Sequence, residues 1–153
     1  MADSVALDRQ ALAERAGAAM YERDVAARAA GIELVEVGPG HARMCMRVRG
    51  DMVNGHAIAH GAFIFMLADT CFAYACNSSN AVSVAQTASI TYVSPGKQGE
   101  RLAAEARAAV QAGRTGVYDV RVTGDDGRTV ALFRGVSQRL RNEEVVPGLG
   151  IAD

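Results

Sequence analysis

Apolar residues recur with different periods along this chain. From Leu7 to Ala30, Leu7, Ala11, Leu12, Ala18, Ala19 and Val25 return at roughly helical spacing, and Gly31 is a natural stop. The pattern predicts one helix, with Gly17 as its weak point. Ile32-Glu-Leu-Val-Glu-Val alternates with period 2 and predicts a strand. Gly38-Pro-Gly40 predicts a turn, with His41 to Val48 as the hairpin partner, alternating through Ala42, Met44, Met46 and Val48. Asp51 to Gly61, punctuated by Gly55 and Gly61, predicts an irregular loop. Ala62 to Asn77 is apolar almost all the way round and, at about sixteen residues, too long for a strand. It therefore predicts a buried central helix rather than an amphipathic surface one.

Period 2 returns over Ala81–Val93, Leu102–Gln111, Gly116–Val122 and Thr129–Leu140. The breaks are Pro95-Gly96, Gly113 and Gly124-Asp-Asp-Gly127, the last a hairpin turn. The stretch after Asn142, with Pro147-Gly-Leu-Gly, predicts a frayed tail. Helix, two strands, buried helix and four strands make an α+β fold, a mostly antiparallel sheet packed on one helix. The expected division is a helical segment over 1–30, the main domain over 31–142 and a flexible tail over 143–153.

Composition narrows the function classes. Of 153 residues, 50% are apolar and 22% charged, which suits one folded domain. Sixteen basic against seventeen acidic residues, with no long basic block, argue against a nucleic-acid partner. The longest apolar run, Ala62 to Ala68, is far short of a membrane span, and Met1-Ala-Asp-Ser-Val has no export signature. Cys45, Cys71 and Cys76 are odd in number and lack CxxC spacing, which fits a reducing cytoplasm.

One residue conflicts with its surroundings. Asp69 falls inside the apolar helix, one turn from Phe65, Met66, Phe72 and Ala73, where a carboxylate is costly unless it has a partner or a purpose. Just upstream, Asn54-Gly-His-Ala-Ile-Ala-His60-Gly61 brings polar groups to the helix start. There the free backbone N–H of Gly61 and the positive end of the dipole can hold a developing oxyanion. Taken singly, His60 reads as a cap and Asn54 as a turn residue; beside Asp69 they become a candidate constellation. Gly61 and Asp69 are eight residues apart, about 12 Å along a helix, too far for both to act on one carbonyl. A second subunit is expected to supply one of them.

Other groupings carry less. His56 and His60 have zinc-like spacing, but position 57 is Ala where a general-base Glu would stand, so no metal is expected. Cys71 and Cys76 are about 140° apart on a helix and read as core residues. Ser78-Ser79 reads as a helix C-terminus and Tyr118 as a packing residue. Every cation except Lys97 is arginine; most read as solvated, while Arg134-Gly135 suits a phosphate-bearing substrate.

The segment from Asn54 through Asn77-Ser78 resembles the signature of hotdog-fold acyl-CoA thioesterases, and specifically their phenylacetic-acid-degradation branch. Gly116-Val-Tyr-Asp-Val and Thr129-Val-Ala-Leu-Phe-Arg-Gly are similar to the late strands of the same branch, so the resemblance spans about residues 20 to 140. It implies a hotdog fold, with one long helix wrapped by the sheet. It implies hydrolysis of acyl-CoA, with phenylacetyl-CoA or its hydroxylated form as substrate and no separate cofactor, CoA being part of the substrate. By the same resemblance Asp69 is the catalytic carboxylate, Gly61 the N–H donor to the thioester carbonyl, and Asn54 and His60 shape the site. A homotetramer of two dimers, with the site at the dimer interface, is implied as well. The chain departs from the family at Ala62, where His-Gly-Gly is usual, and at Ser94, where a basic residue commonly precedes Pro-Gly. Rival readings are a non-catalytic acyl-CoA-binding or scaffold protein and a hotdog dehydratase or hydratase.

Overall fold

The computed structural model describes residues 7–153. Met1 to Ala6, the start of the expected helical segment and the region searched for an export signature, lie outside the described residues. Helix α1 (Arg9–Arg23) begins where the Asp8 carboxylate accepts the Ala11 N–H at 2.7 Å. The break comes at Asp24 and not at Gly17. Asp24 caps the short helix α2 (Val25–Ala29) by accepting the Ala27 N–H at 3.1 Å, and it accepts the buried Tyr74 hydroxyl at 3.1 Å. That second contact pins the corner to the core. At Gly17 a Cβ would stand 2.7 Å from Val37 Cγ1, so this glycine lets α1 lie close on the sheet.

Six strands form one antiparallel sheet: β1 (Glu33–Gly38), β2 (His41–Arg47), β3 (Ala81–Tyr92), β4 (Arg101–Ala112), β5 (Thr115–Thr123) and β6 (Thr129–Glu144). Their order is β1-β2-β4-β5-β6-β3. Hairpins join β1 to β2, β4 to β5 and β5 to β6, whereas β3 pairs with β6 and stands at an edge.

Helix α3 (Gly61–Cys76) crosses the sheet, chiefly over β2, β4 and β5. Ile64, Leu67, Ala68, Cys71, Phe72 and Ala75 are buried against a floor that includes Met44, Met46, Leu102 and Val120. Each large side chain so buried contributes about 1.5–3 kcal/mol. Gly135 on β6 lets the Phe72 ring descend, because a Cβ there would lie 2.7 Å from Phe72 Cζ. Phe72 then packs on Tyr118 and Phe133 with centroids 5.7 Å apart in each case.

The order of elements and the long helix wrapped by an antiparallel sheet are those of the hotdog fold. In the protomer, however, the wrapping of α3 is incomplete. Ala62, Phe65, Met66, Asp69, Thr70 and Ala73 form a stripe left exposed or half-buried. The helix lies over one side of the sheet and leaves the β6–β3 side lightly covered. From Val84 to Ser89, β3 is exposed on both faces.

The tail is better anchored than its composition suggests. Asn80, fully buried at φ 68°, accepts the Val145 N–H on its carbonyl at 2.9 Å and the Val146 N–H on its side chain at 2.8 Å. Its amide donates to the carbonyls of Val146 and Gly150, at 3.1 and 2.8 Å. Where fraying is expected after Asn142, one buried amide ties the tail back to the end of α3. Among the described residues no helix is long and apolar enough to cross a membrane.

Candidate active site

The loop before α3 is held by its own backbone. Asn54 Oδ1 accepts the N–H groups of His56 at 2.9 Å and Ile58 at 3.4 Å, and the Asn54 N–H donates to the Ile58 carbonyl at 2.9 Å. Asn54 is thus a turn residue, as Asn-Gly chemistry predicts, and it also borders the candidate site. The loop is stitched to its neighbours by Ala59 N–H to the Gly96 carbonyl at 2.9 Å and His60 N–H to the Met52 carbonyl at 2.7 Å.

His60 is the N-cap of α3. Its Nδ1 accepts the Ala62 N–H at 3.0 Å, so the proton of the neutral ring sits on Nε2. The neighbouring Gly61 N–H has no protein acceptor among the described residues. A free donor at the positive end of a sixteen-residue helix is a ready place for an oxyanion.

That donor borders an open groove of about 390 Å³ lined by Asn54, Ile58, Ala59, Gly61, Ile64, Tyr92, Val93, Ser94 and Pro95. Mostly apolar walls with one amide suit an acyl or pantetheine-like chain. The far wall is fastened by Arg128, which donates to the Pro95 carbonyl at 2.7 Å and pairs with the buried Glu100 at 2.6 Å. Arg128 is therefore a brace and not one of the solvated arginines. Ser94, standing where the family pattern has a basic residue, donates to the Thr129 carbonyl at 2.6 Å.

Asp69 lies two turns further along α3, on the half-covered stripe. Loss of water on that apolar face raises its carboxyl above the usual aspartate range. No hydrogen bond or cation holds the carboxylate among the described residues. Asp69 does not line the groove of its own protomer, in keeping with the helical spacing.

The other candidates divide. Arg134 points to the outer face of the sheet and is engaged by Asp119, Nε to Oδ1 at 2.7 Å and Nη2 to Oδ2 at 2.8 Å. Gly135 is spoken for by Phe72 on the inner face. Arg134 and Gly135, where a phosphate contact is expected, thus take part in an ion pair and in helix packing, and neither lines the groove of its own protomer. Tyr118 is buried beside Phe72, and burial pushes its phenol up to about 12. The thiols of Cys71 and Cys76 are likewise pushed up to about 12 by burial and behave as small core groups.

Sequence reasoning missed Tyr92, whose hydroxyl donates to the Gly61 carbonyl at 2.9 Å. The two residues are 31 positions apart, and no periodicity links them.

Comparison with known proteins agrees with this geometry. Residues 56–131 match the Thioesterase superfamily. The acyl-coenzyme A thioesterase PaaI of Escherichia coli K12 is 45% identical over 122 residues, covering 80% of this chain and 87% of that protein. The solved E. coli PaaI protein of the phenylacetic acid degradation operon superposes with a TM-score of 0.83 at 43% identity, covering 84% of this chain and 94% of that one. A Streptococcus mutans UA159 protein solved with acetyl CoA superposes with a TM-score of 0.71 at 26% identity, over 74% and 91% of the two chains. This chain, with its free helix-start donor and unpartnered helical aspartate, belongs to the thioesterase superfamily as a PaaI-like hotdog protein.

Proposed function

We propose that this protein hydrolyses acyl-CoA thioesters to free acid and CoA, with phenylacetyl-CoA or ring-hydroxylated phenylacetyl-CoA as substrate, in a reducing cytoplasm. The observation that carries this reading is a pair of groups on one helix that find no partner among the described residues, the Gly61 N–H and the Asp69 carboxylate. The relative with acetyl CoA bound supports the substrate class, and the phenylacetic acid degradation operon that encodes the E. coli PaaI protein supports the aryl acyl group.

The reaction combines two protomers. The thioester carbonyl accepts the Gly61 N–H of one subunit, and the α3 dipole stabilises the oxyanion as it forms. The carboxylate facing it comes from the partner's Asp69. Asp69 either takes a proton from the attacking water and returns it to the CoA thiolate expelled as the C–S bond breaks, or attacks the carbonyl itself, expelling CoA thiolate and leaving a mixed anhydride that water then cleaves to the free acid. Its raised pKa makes it the stronger base in the first route. The reaction needs no metal, and CoA enters only as substrate. Asn54 and His60 shape the mouth and hold the loop that presents Gly61.

The open edge of β3, built from small residues between Val84 and Ser89, and the uncovered stripe of α3 support a two-fold dimer joined along β3. Two such dimers make the tetramer. Thiol release should be measured over a panel of aryl and aliphatic acyl-CoAs, followed by a single turnover in heavy-oxygen water. Arylacetyl-CoA is expected to release thiol fastest. Label found first in Asp69 identifies the anhydride route, and label found directly in the acid identifies the general-base route. A folded oligomer that releases thiol from no acyl-CoA would sink the reading.

A further inference from the structure

Tyr92 ends the edge strand β3 and lies against the first residue of α3. Its hydroxyl donates to the Gly61 carbonyl at 2.9 Å; a carbonyl can only accept, so the phenol proton is committed there. Its ring covers the Gly61 Cα closely enough that a Cβ at position 61 would stand 3.0 Å from both Cζ and the hydroxyl oxygen. The ring remains 50% exposed and forms part of the groove wall. The Gly61–Ala62 peptide unit, joined through the Gly61 Cα to the one that carries the free N–H, is therefore clamped from two sides. His60 caps the helix from the loop, and Tyr92 holds the Gly61 carbonyl and Cα from the sheet.

We infer that Tyr92 is the positioning residue for the Gly61 donor, fixing its direction from strand β3. A donor aimed in advance stabilises charge without reorganising during the reaction, and a donor free to rock loses part of that effect. Tyr92 acts through Gly61, so its signature belongs in kcat. Because it terminates the strand proposed to join two subunits, it also ties the register of that edge to the aim of the donor. The kinetic consequence rests on the proposed thioester hydrolysis; the packing consequence does not.

Tyr92→Phe, which keeps the ring, is expected to lower kcat about fivefold with KM changed less than about twofold, and Tyr92→Ala to lower kcat about a hundredfold. A merely structural residue would lower Tm without this split between kcat and KM. Wild-type kcat in both variants, with the oligomer intact, overturns the inference. If Tyr92→Ala fails to fold, Tyr92→Phe alone decides.

A thermal double-mutant cycle tests the clamp independently of activity. Gly61→Ala should lower Tm by about 4 °C beside Tyr92 and by less than about 1 °C in the Tyr92→Ala background. Equal shifts in both backgrounds overturn the clamp. Wild-type protein that releases no thiol would instead defeat the proposed function, and the cycle would still judge Tyr92.

Discussion

Asp69 and Glu100 are two acidic side chains removed from water, and their surroundings drive them in opposite directions. Glu100 is the more buried, at 6% exposure, yet its carboxyl is held below the usual glutamate range. Arg128 pairs with it, and the N–H groups of Lys97 and Asp125 donate to it at 3.1 and 3.4 Å. Asp69 is only half-buried but has no donor or cation among the described residues, and its carboxyl rises. Partners and not depth decide the charge. Glu100 uses its charge to brace the loop behind the groove, whereas Asp69 keeps its charge unengaged and available for chemistry.

The largest expected effect comes from removing the unengaged carboxylate. Asp69→Asn should lower kcat about a thousandfold, within the range for a lost general base. The same change should raise Tm. A raised folded-state pKa means that Asp69 favours the fold only below its unfolded pKa, and that contribution is lost as pH rises through the folded value. A variant that keeps turnover, or that melts earlier than wild type at neutral pH, breaks the contrast with Glu100.

Glu100→Gln should do the reverse. It leaves Arg128 with only the exposed Asp126 carboxylate and is expected to cost about 3 kcal/mol of stability, as for other broken buried pairs. Thermal melting at neutral pH, with kcat measured on the folded fraction, separates the two carboxylates. Loss of activity at unchanged Tm would show that the brace had been misread.

Titration sharpens the comparison further. The lowered pKa of Glu100 gives stability that is present above its unfolded value and disappears as pH falls through the lower folded value. The acid limb of kcat/KM, set by Asp69, should therefore lie at higher pH than the acid unfolding transition. Activity lost only together with the fold would contradict this order.

The smallest effect is expected at Arg134, whose pair with Asp119 is exposed on the outer face of the sheet. Arg134→Gln should leave Tm close to the wild-type value. It should leave KM for acyl-CoA near the wild-type value; a large rise in KM would return Arg134 to the substrate.

Much of this was legible along the chain. Alternation and helical spacing predict β1 through β5 and α3 nearly to the residue, and β6 up to its last four residues, because one-sided burial imposes a period that survives in sequence. Asp69 was legible for the complementary reason, a charge interrupting an apolar run. The break in the N-terminal helix was not. Gly17 looks like the weak point by propensity, yet it answers Val37 across the interface, and the corner falls at Asp24 because Tyr74, fifty positions away, supplies a bond there. Arg128 and Arg134 look alike in sequence; one braces the groove and the other sits on the outer face.

By itself, then, the sequence determined the order of elements, the α+β class, the aspartate inside an apolar helix and the glycine at the helix start. Each is a local pattern or a local violation of one. Only the tertiary structure decided which groups are free and which are engaged: Gly61 N–H unclaimed under Tyr92, Glu100 neutralised by Arg128, Arg134 taken by Asp119 and the tail tied to Asn80. The physical reason is that a polar group's role follows from its hydrogen-bond partner, and these partners lie between 15 and 70 positions away in the chain.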